Sequence, residues 1–561
     1  MSQAGASAAA RPWAKSYPAG LSPDVSLDTW PVPTLIDRSA ELNGDKTAFV
    51  FRSTRLSYRE LQREIDRAAA AFMAAGIGPG ARVALMMPNT LYHPLAFFGA
   101  LKAGATVVHL SPLDVQRTLA HKLADSGARL LVTSNIGETA TNAARLLEAG
   151  LLDRIIVGDD TAYGRSPLTG PMPEGDGVTG WDEFVAGAAA NPAFPAVAAE
   201  DLALLQYTGG TTGLPKGAML THANLSAAVS SYHLWARAEN LSRPGLERVL
   251  LFLPLVHIYA LVAVMMRSLS DGQTLLLHTR FDAETALAEI EAGATMLPGV
   301  PTMWIAICAL PGFETRDISS LRFCGSGGAP LPVEVARKLK AKTGLELLGG
   351  WGMTEASPAG TGIPKNRGDK SGTIGLPMPG IDVRIVALDD PRHPLPAGQT
   401  GELAIRGPNV TSGYLNRPDE NAACFADGWF LTGDIGHMDE DGFFFLVDRK
   451  KDMIISGGFN VYPQMIEQAI YEHPDVEEVL VIGVADAYRG EAAKAFVKLR
   501  AGATELTLEA LRVFLKGRVG PHEMPTALEI RAALPRTPVG KLSKLELRQD
   551  ERARAATQIA S

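Results

Sequence analysis

The stretch Tyr207-Thr208-Gly209-Gly210-Thr211-Thr212-Gly213-Leu214-Pro215-Lys216-Gly217 constrains this chain more than any other. Glycines and threonines crowd together, and a lysine sits near the end of the run. The apolar residues 202–205 before it read as a buried strand, and a helix-like pattern opens near Thr221 and runs through Asn224, Leu225 and Ala228. A strand, a glycine-rich loop and a helix in that order present backbone N–H groups and hydroxyls to a phosphate. Glycine lets the backbone approach the anion closely, and Lys216 supplies a mobile positive charge. The alternative is a glycine-rich surface turn. The convergence of hydroxyls, glycines and a lysine in one short loop favours phosphate. A Walker A loop is disfavoured, because that motif sets its lysine directly after a glycine, whereas Pro215 precedes Lys216 here.

At 561 residues the chain is too long for one core and predicts about three or four domain-sized units. Hydrophobic residues make up 46% and charged residues 20%, which suits a folded globular chain rather than a disordered one. A net charge of -8 argues against a nucleic-acid partner, which would require a basic face. Cys308, Cys324 and Cys424 are widely spaced, form neither a metal-ligand pattern nor a disulfide framework, and fit a reducing cytoplasm. Residues 1–10 are alanine-rich, and Arg11 and Lys15 come after them, the reverse of the order in a secretory signal. Residues 249–266 form an uncharged run of roughly membrane-spanning length. Pro254 and His257 interrupt it, so the expectation is a strand over 249–253, a turn at Pro254 and then a helix start. No integral membrane segment is expected; peripheral membrane contact and a homodimer stay open.

Along the chain, strand-like and helix-like stretches alternate. Strands are predicted at 47–51, 82–87, 105–110 and 129–133, with helices over 58–75 and 92–102. Residues 158–198 read as a loop-rich connector, and residues 1–30 as a segment wrapping the surface. Beyond the glycine-rich loop the alternation resumes, with strands at 275–277, 295–297 and 321–325 and helices at 283–291 and 333–342. The fold class is therefore α/β with largely parallel sheets. After Gly375 short strands with polar turns suggest a β-rich subdomain over 375–449. A charged run then opens a small α+β unit over 450–561, so that residues 1–449 form the large N-terminal domain.

Several short constellations carry chemistry. Gly349-Gly350-Trp351-Gly352-Met353-Thr354-Glu355-Ala356 sets an aromatic residue among glycines, with Thr and Glu immediately after. A lone Thr-Glu is commonly a helix cap or a solvated pair. Downstream of a nucleotide-type loop, Trp351 offers a face to adenine, Thr354 a hydroxyl to phosphate, and Glu355 a hard oxygen ligand to Mg²⁺. Further runs are Gly325-Ser326-Gly327-Gly328-Ala329-Pro330, Thr432-Gly433-Asp434, Asp448-Arg449-Lys450-Lys451-Asp452, Ser456-Gly457-Gly458-Phe459 and Pro535-Arg536-Thr537-Pro538-Val539-Gly540-Lys541. Taken singly, these are turn-formers, solvated linkers or a solubilising terminal charge.

Taken in order, over roughly residues 35 to 550, they resemble the motifs of the adenylate-forming superfamily, and within it the acyl-CoA synthetases, most of all the bacterial fatty-acyl and dicarboxylate members. The resemblance implies ATP, Mg²⁺ and coenzyme A as cofactor and co-substrates and a small carboxylic acid as partner. It implies an ATP/AMP site of Thr208, Gly209, Gly210, Thr211, Thr212, Gly213, Lys216, Gly327, Gly328, Ala329, Trp351, Gly352, Met353, Asp434 and Arg449, with tryptophan in a slot usually held by tyrosine. Asp434 would accept the ribose hydroxyls and Arg449 would contact ribose or phosphate. Mg²⁺ would fall to Glu355 and Thr208. Lys451 would be the hinge of the C-terminal unit, Gly457, Gly458 and Phe459 would line the coenzyme A tunnel, and Lys541 would reach back into the nucleotide site. The catalytic set would be Lys541, Thr354, Glu355 and His257. The acyl pocket would draw on Val256, His257, Gly299, Val300, Thr302 and Gly325, with Met303 beside them; His257 is also readable, almost as well, as a residue packed at a strand end.

The implied reaction adenylates a carboxylate and then passes the acyl group to a thiol. No Asp occurs between Leu251 and Ala260, where amino-acid-activating relatives carry one, so an amino acid substrate is disfavoured. An apolar pocket favours a medium-to-long-chain fatty acid. A dicarboxylate would want an arginine or a water-filled end to the pocket, and the sequence does not locate one. The alternatives are a coumarate-type aryl-CoA ligase, an acyl-AMP ligase loading a separate carrier protein, a luciferase-like oxygenase and an AMP-sensing binding protein.

Overall fold

The computed structural model describes residues 11–188, 192–208, 215–327, 333–365, 367, 370, 372–456, 459–486, 489–503, 505–536 and 542–560. Two seven-stranded sheets dominate the N-terminal part. Across the first run the strands Val178–Gly180, Arg154–Gly158, Leu130–Ser134, Arg82–Met86, Thr106–His109, Leu202–Thr208 and Lys216–Thr221, all parallel except the final pair. Across the second run Leu347–Leu348, Phe323–Ser326, Met296–Gly299, Arg248–Leu251, Thr274–Leu277, Thr47–Phe51 and Thr54–Ser57, again parallel but for the last pair. The strands read as continuous apolar runs because helices cover both sheet faces. The helix Tyr92–Lys102 is buried from Tyr92 through Leu101, and Tyr58–Ala74 packs beside it. The latter helix starts at Ser57 through a reciprocal capping box with Glu60, which satisfies two backbone donors at once.

One expectation changes. The glycine-rich loop does not lead into a helix. It leads into the strand Lys216–Thr221, which turns back antiparallel on Leu202–Thr208, and the helix His222–Ala238 begins one strand later. Gly217, Ala218 and Leu220 are buried among the strand's residues, and Thr221 with Asn224 forms the capping box that starts the helix. The helix N-terminus therefore lies a strand's length from the loop.

The β-rich subdomain is an antiparallel sheet of Asp382–Val386, Gly401–Arg406, Trp429–Met438, Phe425–Ala426 and Phe444–Arg449. Residues 11–30 are pinned to it and its surroundings. Trp13 is buried and packs edge-on against Phe444 at 6.1 Å, and the Arg11 Nε donates to Asp382 at 2.7 Å. From Ile454 onward a separate apolar core forms around the sheet of Ile454–Ser456, Phe459–Val461, Val476–Asp486, Gly490–Leu499 and Ala527–Ile530. The half-buried pair Lys544–Glu467 (2.9 Å) and the pair Arg548–Asp452 (2.8 Å) tie its last helix to that core and to the charged linker. Among the described residues no helix is long and apolar enough to cross a membrane.

Candidate active site

Parallel sheets leave a crevice outside the carboxyl ends of their strands, where connections diverge and ligands bind. Here both sheets open onto one cavity of about 1720 Å³. Its wall includes Thr208 at the end of a strand of the first sheet, Met87 and Ile136 beyond others, and Leu253, Thr279, Val300, Gly327 and Gly349 beyond strands of the second. Glycine is required where the two backbones crowd. A Cβ on Gly352 would collide with the Pro358 carbonyl, and one on Gly327 would press on the Tyr259 ring at 3.3 Å.

Part of the cavity wall is polar. Thr208, Lys216, Gly327, Trp351, Gly352, Met353, Thr354, Glu355, Arg449 and Lys451 all lie on the wall. Glu355 is buried, and burial pushes its carboxyl above the ordinary range, while the Tyr414 hydroxyl, donating to Oε1 at 2.7 Å, opposes that rise. The Tyr414 ring also faces Lys216, whose Nζ lies 5.4 Å from its centroid and pairs with Glu420. Lys216 is thus anchored between an aromatic face and a carboxylate. Asp434 lies behind the wall: Oδ2 accepts from the Trp351 indole N–H at 2.7 Å, and Oδ1 pairs with Arg449 Nε at 2.5 Å. Trp351 therefore does more than present a ring, because its N–H fixes the carboxylate beneath it.

Another part of the wall is largely apolar. Val256, Val300, Thr302, Met303 and Gly325 lie on its wall beside His257. Gln206 bridges two elements there, donating to the Val256 carbonyl at 2.9 Å while its side-chain oxygen meets His109 Nδ1 at 2.9 Å. Gly299 is set back from the wall. Its carbonyl accepts from the Gly327 N–H at 3.1 Å, and a Cβ there would meet Trp304 and Met303. Phe459 is likewise off the wall, exposed on the C-terminal unit beside the His522 ring at 5.1 Å. Gly209, Gly210, Thr211, Thr212, Gly213, Gly328, Ala329, Gly457, Gly458 and Lys541 lie outside the described residues.

Tyr414, Gln206 and Glu420 escape sequence reading because each sits far along the chain from its partner, and a lone Tyr, Gln or Glu carries no spacing signal. The fit to Mg²⁺ rests on donor chemistry. Among the described residues no cluster of three or more His, Cys, Asp or Glu side chains could hold a metal. Mg²⁺ needs no such cluster, since one or two carboxylates plus substrate phosphates suffice, and Glu355 with the Thr354 and Thr208 hydroxyls supplies hard oxygens on the same wall.

One large cavity whose wall carries both polar and apolar residues suits an enzyme that handles a nucleotide and an apolar acid together. The family of AMP-binding enzymes matches residues 36–415, and the AMP-binding enzyme C-terminal domain matches residues 465–541. The chain belongs to this family. It is 36% identical over 556 residues to the long-chain-fatty-acid–CoA ligase of Bacillus subtilis strain 168, covering 96% of this chain and 98% of the relative. It is 37% identical over 529 residues to the feruloyl-CoA synthase of an Amycolatopsis species, covering 93% and 98%. Its fold is similar to that of ATP-bound MatB from Rhodopseudomonas palustris, with a TM-score of 0.81, 29% identity, and coverage of 92% and 98%. The family and these relatives make this chain an acid–thiol ligase of the acyl-CoA synthetase type, for which ATP and coenzyme A are the implied co-substrates.

Proposed function

We propose that this chain adenylates a medium-to-long-chain fatty acid and transfers the acyl group to coenzyme A. In the first half-reaction a carboxylate oxygen attacks the α-phosphorus of ATP, the bond to the bridging oxygen breaks, and pyrophosphate leaves. In the second the thiol attacks the mixed anhydride, loses its proton, and expels AMP. The observation that carries the reading is one cavity whose wall joins Thr208, Lys216, Glu355 and Arg449 with Val256, Val300 and Met303. At about 1720 Å³ it exceeds the ~300–1,000 Å³ of an ordinary small-molecule pocket, as a nucleotide plus an acyl chain requires.

The roles follow from chemistry. Lys541, Thr208 and Thr354 balance charge on the transferring phosphorus. Mg²⁺, held by Glu355 with Thr208, would neutralise phosphate charge. Arg449 and Asp434 set the ribose position, Asp434 through the hydrogen bond from Trp351. His257 sits beside the acyl carbonyl. Residues 1–449 and 450–561 are read as the two domains, with Lys451 as the hinge, Lys541 arriving for adenylation and the loop at Gly457, Gly458 and Phe459 arriving for thiolation. A reducing cytoplasm suits the three free cysteines.

The reading is tested by acid-dependent AMP release from ATP and coenzyme A across octanoate, palmitate, pimelate, benzoate and coumarate. Release with the aliphatic acids supports it. The similarity to a feruloyl-CoA synthase favours an aryl acid as the second reading, which release with coumarate or benzoate alone would select. Pyrophosphate exchange without an acyl-CoA product would transfer the reading to a carrier-protein acceptor, and no exchange with any acid would overturn it.

A further inference from the structure

The cavity wall holds a charge that a hydrocarbon chain has no use for. The chain winds as a π-helix over Tyr259–Met266 and then as a short α-helix over Arg267–Ser270. π-Helical turns are rare and gather at functional sites. This one and the short helix after it bring Tyr259, Ala263, Val264, Arg267 and Ser268 onto the cavity wall together. Arg267 is 8% exposed. Among the described residues its guanidinium makes no hydrogen bond and no ion pair. The carboxylates whose fields reach it are already engaged. Asp271 is bound by His233 at 3.0 Å, by Ser242 and by Gln273, and Glu247 by Arg243 at 3.0 Å and Arg322 at 3.4 Å. A buried cation without hydrogen-bonded partners is expensive, and a carboxylate would satisfy it through charge-assisted bonds.

Two phenols share this part of the wall. Tyr232, from the helix His222–Ala238, and Tyr259 both line the cavity, and no hydrogen bond of either hydroxyl is made among the described residues. Burial raises both above the usual phenol range, Tyr259 to about 12 despite the Arg267 charge, so both keep their protons as donors. An alkyl tail against this cluster would strip water from a guanidinium and two hydroxyls and return nothing.

Resting on the ligase reading above, we infer that Arg267, with Tyr232 and Tyr259, receives a second carboxylate at the far end of the acyl substrate, so that this chain prefers α,ω-dicarboxylic acids to monocarboxylic acids of equal length. It supplies the arginine that the sequence alone does not place. The test is kcat/KM for acid-dependent pyrophosphate exchange with paired acids of matched length: glutarate with pentanoate, pimelate with heptanoate, azelate with nonanoate, dodecanedioate with dodecanoate. The wild type is expected to favour one dicarboxylate over its partner by roughly tenfold or more, the worth of a hydrogen bond to a charged group. Arg267→Leu should reverse that ratio, Arg267→Lys should keep its direction, and Tyr232→Phe, which preserves the ring, should narrow it. A purely structural role for Arg267 would lower both acids alike and leave the ratio unchanged in Arg267→Leu, overturning the inference. Wild-type preference for the monocarboxylic acids throughout would overturn it too while leaving the ligase reading standing. Exchange with no acid at all would overturn both.

Discussion

Glu355 and Asp434 illustrate how this site handles carboxylates. Both are buried, burial raises both, and each is held by one neutral donor on the polar side of the cavity, Tyr414 for Glu355 and Trp351 for Asp434. On the proposal that Glu355 holds Mg²⁺, its carboxylate must be ionised, so anything that lifts Glu355 further should remove activity from the acidic side. Tyr414→Phe deletes the hydrogen bond that opposes the rise. The acid limb of the pH–rate profile is therefore expected to move to higher pH. A profile superimposable on the wild type would separate Tyr414 from that carboxylate's ionisation. Trp351→Phe keeps an aromatic wall but frees one oxygen of Asp434, leaving only the pair with Arg449. The KM for ATP should rise roughly tenfold, the worth of one hydrogen bond to a charged group, with a smaller effect on the KM for coenzyme A. Equal rises in both would point to general loosening of the site.

At the scale of elements, the helix His222–Ala238 depends on a cap that the glycine-rich loop does not provide. The Thr221 hydroxyl accepts from the Asn224 N–H at 3.1 Å while the Asn224 side chain accepts from the Thr221 N–H at 2.9 Å. Thr221→Ala should cost about 1 kcal/mol of stability, read as a lower denaturation midpoint, with the KM for ATP held. That cap also explains where sequence reading goes astray. The helical spacing after Thr221 is legible, but residues 216–221 carry too few alternations to reveal a strand, and only pairing with Leu202–Thr208 makes them one. Elements with strong periodicity and clear punctuation, such as Thr47–Phe51 and Tyr92–Lys102, are legible to the residue. The helix Gln116–Ser126 is not, because polar residues dominate its exposed face and Val115 offers no capping side chain. The π-helix is illegible in principle: its run of apolar residues fits any helix, and the winding that turns Arg267 toward the cavity is a tertiary outcome.

For the whole molecule, the site is shared among both large sheets, the β-rich subdomain and the charged linker, so its parts are legible as motifs in the sequence while their contacts are not. On the cavity wall, Arg449 ends the strand Phe444–Arg449 that carries Asp448 and Lys451 lies two residues further on, and Asp448 accepts the backbone N–H of Gln464 at 2.8 Å in the first turn of the helix Pro463–Tyr471. Rotation about this linker would exchange the groups presented to the substrate carbonyl. On that reading Lys541→Ala should lower adenylate formation by about a hundredfold or more, the scale set by loss of one electrostatic stabiliser, while a supplied acyl-adenylate is still converted to acyl-CoA. Equal loss of both half-reactions would remove Lys541 from a step-specific role. Activation of the carboxylate by adenylation is tested most directly by isotope transfer. With a fatty acid labelled with heavy oxygen in its carboxylate, one labelled oxygen is expected in AMP for each acyl-CoA formed, and none in pyrophosphate. Label appearing in inorganic phosphate, with ADP as the other product, would mean an acyl phosphate and would contradict adenylation.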